Sequence, residues 1–177
     1  MSGRVTVRLV REDDVPALTR LLAANREHLA PWDPQRPDEY WTEEFQRADT
    51  ARQLELHRQD RAIPGVIVED GELVGRVGVH NVVRGPLQSG TLGYWVAGHA
   101  TGRGVATAAT AAMVRTAFDE AGLHRLEAGT LPHNHASQRV LARTGFQRFG
   151  YAPRYLCIAG RWQDHVLFQL LDERDVR

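Results

Sequence analysis

The stretch that decides the fold runs from Thr91-Leu-Gly-Tyr-Trp-Val96 through His99-Ala-Thr-Gly-Arg-Gly-Val-Ala-Thr-Ala108, near the middle of the chain. The first segment is typical of a strand, and a helix of small residues is predicted from Thr107 to Ala121. The first N–H groups of a helix lack internal partners and carry partial positive charge. Because glycine has no Cβ, Gly102 and Gly104 allow a phosphate to approach the backbone. The pattern predicts a pyrophosphate site, with a tight strand-to-helix turn as the alternative.

Composition limits the class of protein. With 177 residues the chain is expected to form one domain over residues 1–177, long enough to bury a core. Lys plus Arg and Asp plus Glu each total 22, so long-range attraction to nucleic acid or anionic membrane is weak. Charged residues between Arg4 and Asp14 exclude an obvious signal peptide or membrane span. The single Cys157 cannot form an internal disulfide, so we expect a cytoplasmic protein that binds neither nucleic acid nor membrane.

The eight histidines raise the question of a metal site. No His-Glu-x-x-His spacing occurs, and His133 and His135 would point to opposite faces of a strand. A loop would still let this pair chelate, but the pattern favours a protein without a metal.

Hydrophobic periodicity predicts an α/β (α+β) protein. Strands are expected at Arg4–Val10, Ile63–Glu69, Leu73–His80, the segment ending at Val96, His124–Leu131, Phe146–Ile158 and Trp162–Leu171. Helices are expected from a cap at Asp13 or Asp14 through Leu29, then at Asp38–Asp60, Thr107–Ala121 and Asn134–Thr144. This order suits a mixed seven-stranded sheet with helices on both faces.

Three pieces of sequence resemble the GNAT superfamily of acyl-CoA-dependent N-acyltransferases. They are Leu92–Val96 with Gly102–Thr107; Arg125-Leu-Glu127 with Asn134-His-Ala-Ser137 and Val140–Phe146; and Gly160-Arg-Trp-Gln-Asp164. With Arg8-Leu9 and Leu29-Ala-Pro-Trp32 the likeness spans nearly the whole chain, and it is strongest to the ribosomal-protein N-terminal acetyltransferase branch. His99 departs from the Gln or Arg that usually opens the family's loop.

The resemblance implies acetyl-CoA as a cosubstrate. The family binds the pyrophosphate with loop N–H groups, which correspond here to Gly102, Arg103, Gly104, Val105, Ala106 and Thr107. Its fourth and fifth strands splay, and the pantetheine arm bonds main chain at the positions of Trp95 and Val96. Asn134 matches a residue that bonds pantetheine, and Ser137 matches one near the thioester sulfur. Arg139 and Arg143 are either contacts for the ribose phosphate or a solvated basic face.

The reaction implied is attack of an amine on the thioester carbonyl. The protein must free the amine of its proton, stabilise the oxyanion and protonate the leaving thiolate. By resemblance the oxyanion donor is a strand N–H near Val96. Many relatives use a helix tyrosine as the acid, but Asn134–Thr144 contains none. Ser137 is therefore the candidate acid, with helix capping or a bond to the cofactor as its alternative role.

Glu127 is the candidate general base. It lies one strand alternation from Gly129, where the superfamily often has a carboxylate. The alternative is that Glu127 pairs with Arg125 or a neighbouring strand. Further candidates are His80, His133, His135 and Tyr94.

A weak base favours an acceptor amine of low pKa. Freeing a lysine amine, with a pKa of about 10.4, costs about 3.5 kcal/mol more than freeing an α-amine with a pKa of about 7.8. The first hypothesis is therefore acetylation of a protein N-terminus such as that of a ribosomal protein. Its cleft would involve the second helix, the last hairpin, and Trp32 and Tyr94 as substrate contacts.

Two alternatives remain open at this point. The acceptor is instead a small amine such as an antibiotic, polyamine or amino acid, for which Glu39, Glu43, Glu44 and Asp49 would line an acidic pocket. Otherwise the chain is a non-catalytic acyl-CoA-binding module. A monomer and a homodimer are equally compatible with the sequence.

Overall fold

Seven strands form one mixed sheet in the order β1-β2-β3-β4-β5-β7-β6 in the computed structural model, which describes residues 3–174. The strands are β1 Val5–Leu9, β2 Ile63–Glu69, β3 Glu72–Val83, β4 Ser89–Val96, β5 Arg125–Thr130, β6 Gln147–Ile158 and β7 Arg161–Leu171. Neighbouring strands are antiparallel except β4 and β5, which run parallel. The sheet confirms the predicted fold class.

Helices cover both faces of the sheet, as predicted. They are α1 Val15–Ala24, α2 Arg26–Leu29, α3 Glu43–Arg58, α4 Val105–Arg115 and α5 His135–Arg143. On one face, the α1 face, Leu18 of α1 packs with Val10 and Val66. On the other, the α4 face, Met113 and Leu141 join the main apolar core. Within residues 3–174 no helix is long and apolar enough to cross a membrane.

The first two predicted helices have different bounds in the structure, because a polar side chain ends the first early and another starts the second late. The first helix stops at Ala24, since Asn25 leaves helical geometry and its Oδ1 accepts a hydrogen bond from Gly98 N at 2.8 Å. The helix predicted from Asp38 is α3, and it begins at Glu43 because Thr42 Oγ1 accepts a hydrogen bond from Phe45 N at its N-terminus.

Asp14 occupies the N-cap position of α1, as predicted, but its side chain makes no hydrogen bond to the N–H groups of that helix. Its carboxylate instead accepts two hydrogen bonds from the Arg8 guanidinium at 2.7 Å and one from Arg11 N at 2.8 Å. These bonds tie the end of β1 to the start of α1.

The parallel strands β4 and β5 separate along their length. They pair only at Ser89–Thr91 against Arg125–Glu127, whereas β4 continues to Val96 and β5 to Thr130. Beyond Thr91 the facing edges do not hydrogen-bond to each other, so an amide-containing ligand is able to bond the backbone there. The splay predicted from the resemblance is therefore present.

Candidate active site

The glycine loop before α4 has the backbone geometry of an anion site. Gly102 and Gly104 have φ of +76° and +84°, and no atom lies within 4 Å of where a Cβ would stand. Gly104 caps α4, which therefore begins at Val105, two residues before the predicted start. The first backbone bond of this helix runs from Ala108 N to Gly104 O, at 2.9 Å. The N–H groups from Val105 to Thr107 precede that bond and point out of the helix end.

Side chains of the loop contribute less to this site than its backbone does. The Arg103 guanidinium lies 2.7 Å from the carboxylate of Glu69, which is buried at the end of β2. This bond anchors the loop to the sheet. His99 is exposed on the short turn Gly98–Ala100, which precedes the Gly102–Thr107 loop.

A pair of hydroxyl groups crosses the splay. The Tyr94 hydroxyl on β4 lies 2.7 Å from Ser137 Oγ on α5. Burial raises the pKa of Tyr94 above its ordinary value, so the phenol keeps its proton at neutral pH. The structure thus brings together two predicted site residues, because β4 supplies the phenol that the α5 sequence lacks.

Asn134 and the arginines of α5 lie where the sequence predicts. Asn134 Oδ1 accepts from Ser137 N at 3.0 Å and caps α5. Arg139 and Arg143 are exposed. Asn134 therefore holds Ser137 in place, and the cofactor contacts of these three residues stay predictions.

Glu127 lies at the closed end of the splay. It is in the last residue pair between β4 and β5, opposite Thr91. Its carboxylate accepts a 2.7 Å hydrogen bond from Arg125 Nε, and the Arg125 guanidinium also lies 5.2 Å from the centre of the Phe149 ring. The alternative role, a partner for Arg125, is present in the structure; the catalytic role of Glu127 stays a prediction.

A cavity of about 420 Å³ opens on the α1 face beside β3 and β4. The segment between α1 and α3 forms its outer wall. Within it the Trp32 ring lies 5.6 Å from the His133 ring, which follows β5. We call this cavity the acceptor pocket because the sequence predicts the acceptor cleft here; the residues that line it include Trp32, Arg36, Arg76, His80, Tyr94 and Trp95.

The hairpin of β6 and β7 borders the same wall. Ala159 N, at the tip of this hairpin, donates a 3.0 Å hydrogen bond to Asp33 O. Trp32 and Gln53 of α3 line this pocket, and the hairpin contacts its outer wall; that the pocket binds the acceptor stays a prediction.

The charges at the acceptor pocket are mixed. Arg36 is paired with Asp33 at 2.9 Å and lies 4.7 Å from the centre of the Tyr40 ring, while Arg76 lies 3.8 Å from Asp49. Glu39, Glu43 and Glu44, which a polyamine acceptor would need in an acidic pocket, are exposed.

His80 is the neutral base of this pocket. Its ring lies over Gly93, with Cε1 3.3 Å from the place of a Gly93 Cβ. Water still reaches the ring through the pocket, but the surrounding protein lowers the pKa of His80. The imidazole is therefore uncharged at neutral pH.

The described residues contain no candidate metal site. Within residues 3–174 no three His, Cys, Asp or Glu side chains are grouped so that they would hold a metal ion. His133 instead contacts Trp32, as described above.

A parallel strand pair that separates beside a glycine-capped helix defines an acyltransferase fold with room for a CoA thioester. The sequence profile described as "Acetyltransferase (GNAT) domain" matches residues 4–147. The chain therefore belongs to the GNAT acetyltransferase family, and the resemblance seen in its motifs is confirmed.

Individual relatives extend this similarity over the whole chain. Ribosomal protein uS5-alanine N-acetyltransferase from Escherichia coli (strain K12) is 36% identical over 171 residues, covering 96% of this chain and 88% of the relative. The structure of RimJ from Mycobacterium smegmatis in complex with CoA-disulfide has a TM-score of 0.93 at 38% identity, covering 97% of this chain and 83% of that one. Ribosomal-protein-S5-alanine acetyltransferase from Vibrio fischeri has a TM-score of 0.92 at 31% identity, covering 98% and 97%.

Proposed function

We propose that this enzyme transfers the acetyl group of acetyl-CoA to the N-terminal α-amine of a protein, and that the acceptor is a ribosomal protein. One observation carries the proposal: strand β4 borders both substrate sites. Tyr94 reaches from it across the splay to Ser137, and Trp95 lines the acceptor pocket on the α1 face. A thioester held in the splay and an amine entering from the pocket would meet at this strand.

The acceptor class is supported by the relatives. Two of those described above act, by name, on the alanine terminus of ribosomal protein S5, and the chain matches most of their length. Acetylation of ribosomal proteins would place the enzyme in the cytoplasm. The splay and the glycine loop fit acetyl-CoA as the donor, since the backbone of both is open to a ligand.

The residues of the chain have separable tasks in this reaction. The loop N–H groups from Gly102 to Thr107 hold the pyrophosphate, and the N–H of Val96 faces the developing oxyanion. The hydroxyl pair of Tyr94 and Ser137 donates a proton as the C–S bond breaks. A thiol with a pKa of about 8.5 leaves readily, so we expect this proton donation to contribute about 30-fold, less than the roughly 100-fold or more that is typical of general acid catalysis.

The mixed charge of the pocket argues against a polyamine acceptor. Arg36 and Arg76 line it and are matched by Asp33 and Asp49, so the pocket lacks the excess of carboxylates that a ligand with several ammonium groups requires. About one third of an α-amine with a pKa of about 7.8 is uncharged near pH 7.5, and such an amine does not require an acidic pocket.

The test is release of CoA thiol with acetyl-CoA and two panels of acceptors. One panel holds peptides that begin with alanine or serine; the other holds aminoglycosides, polyamines and amino acids. We expect release with peptides and a mass gain of one acetyl group at the α-amine. Peptides with a blocked N-terminus and an internal lysine are the matched control. Release only with small amines, or none despite tight acetyl-CoA binding, would contradict the proposal.

A further inference from the structure

His165 of β7 is a buried histidine that the reaction described so far does not use. Only 4% of its surface is exposed. Its Cδ2 lies 3.4 Å from the place of a Cβ on Gly129, and its ring lies 5.5 Å from that of Tyr155. Because Gly129 has no side chain, the Cδ2 side of the His165 ring faces the backbone of β5.

The position of Gly129 places that ring edge at the splay. Glu127 is the last residue of β5 that pairs with β4, so Gly129 belongs to the separated part. Strand alternation and the strand registers put Trp95, Gly129 and His165 on the α1 face, where the acceptor pocket opens. An amine that enters from the pocket therefore approaches the side of the splay on which His165 lies.

The hydrogen bond of His165 determines which nitrogen is available. Its Nδ1 lies 3.1 Å from the carbonyl oxygen of Gln163. A carbonyl only accepts, so Nδ1 carries the proton and the neutral ring keeps its lone pair on Nε2. Nε2 is bonded to Cδ2, the atom of this ring that lies nearest to Gly129, so the lone pair is one bond away from that contact.

We propose that His165 is the general base of the transfer, an inference that rests on the proposed function. Its Nε2 takes a proton from the acceptor amine, directly or through one water, while the N–C bond forms. The C–S bond breaks, and the thiolate takes its proton from the hydroxyl pair of Tyr94 and Ser137. The imidazolium then releases its proton to water and the hydroxyl pair takes one back from water, so that in sum the amine proton ends on the CoA thiol and the reaction balances.

The charged groups nearest to His165 are bound to other partners, which is compatible with its role as the general base. On β5 the nearest charged side chains are Glu127 and Arg125, which are bound to each other at 2.7 Å. From β6 the phenol of Tyr155 packs against the ring. The neighbouring Asp164 is engaged on the other side of the strand, accepting from the Tyr151 hydroxyl at 2.5 Å and from Arg154 N at 2.8 Å.

The test compares His165→Asn with wild type on a peptide that the wild-type enzyme acetylates. The asparagine amide replaces the Nδ1–H donor to Gln163 O but offers no base, so the variant should fold with a Tm close to wild type. We expect kcat to fall about 100-fold with little change in the KM for acetyl-CoA. The matched control is His124→Gln, an exposed histidine just before β5, which should keep wild-type kcat.

Two further readouts separate a base from a structural residue. The acid limb of the kcat–pH profile should disappear in His165→Asn, and added imidazole should raise the rate of His165→Ala. A kcat within about threefold of wild type for His165→Asn, or a slow variant with the acid limb kept and no imidazole rescue, would overturn the inference. Both results leave the proposed function standing, whereas a wild-type enzyme inactive on every peptide would refute that function instead.

Discussion

The two proposed substrate sites of this molecule are built from different parts of the chain. The donor loop is a single run of six residues, Gly102–Thr107, and its chemistry is that of backbone N–H groups beside two glycines with positive φ. The acceptor pocket is lined by residues from α1 and α2, from the segment before α3, from α3 itself and from the three strands β2, β3 and β4. The donor site therefore depends on local backbone conformation, while the acceptor site depends on packing between distant segments.

This difference predicts that the two sites fail separately. A change in the loop should weaken binding of the acyl donor and leave the acceptor unaffected, and a change in the pocket should do the reverse. The variants below test this separation, beginning with the largest expected effect.

Gly104→Val should weaken acetyl-CoA binding about 100-fold. A branched residue at φ of +84° is strained by roughly 1–2 kcal/mol, and the loop must move to relieve it. The matched control is Gly71→Val in the turn between β2 and β3, where φ is +93° and the surrounding space is equally open. Calorimetric titration should show weaker binding only for Gly104→Val, with a similar loss of Tm in both. Equal affinities in the two variants would refute a backbone site at this loop.

Tyr94→Phe and Ser137→Ala should each lower kcat about 30-fold, because each removes one hydroxyl of the pair that crosses the splay. The two losses should not add, since the hydroxyls lie 2.7 Å apart and act as one unit. Steady-state kinetics of both single variants and the double variant measure this coupling. Fully additive losses would mean that the two groups act independently.

Trp32→Ala should raise the KM for the peptide acceptor up to tenfold. Trp32 lines the proposed acceptor pocket, and an aromatic contact with a bound peptide is worth about 0.5–1.5 kcal/mol. Trp32→Phe keeps a ring and should recover most of the affinity. Acetyl-CoA affinity should be unchanged in both variants. A rise in the KM for acetyl-CoA instead would break the separation of the two sites.

Asn134→Ala should lower the free energy of unfolding by about 1 kcal/mol, because it removes the N-cap of α5. Asn134→Ser keeps a capping oxygen and should retain that stability. Both variants lack the amide N–H₂, so both should bind acetyl-CoA about fivefold more weakly if the side chain also bonds the donor. Denaturant unfolding and calorimetry distinguish the two roles: donor affinity unchanged in Asn134→Ser would restrict this residue to capping.

His80→Gln should have the smallest effect, on the pH dependence of stability. The protein around the His80 ring displaces part of its water and lowers its pKa, so the unfolded chain takes up the proton first as the pH falls below about 6.5. Wild type should therefore lose more stability than the variant between pH 7 and pH 5. Denaturant unfolding at both pH values measures this, and equal losses would mean that the ring titrates as it does in water.

Local patterns predicted most of the fold. The alternation in β1 and the Asp70-Gly71 turn between β2 and β3 act over neighbouring residues, and the strands formed as expected. Helix ends were less predictable. The first helix ends before Asn25, whose side chain accepts a hydrogen bond from the N–H of Gly98, 73 residues away. Within the candidate active site, the glycine loop could be predicted because its conformation depends on neighbouring residues only.

The motifs of the sequence predicted the GNAT family and, through that resemblance, the splayed strand pair, whereas the conformation of the glycine loop follows from its own residues because glycine acts locally. Which side chains meet across the sheet was set by the three-dimensional fold. It joined Tyr94 to Ser137, bound Glu127 to Arg125 and set His165 beside Gly129. The last of these contacts links separate strands through sheet register, which no local pattern encodes.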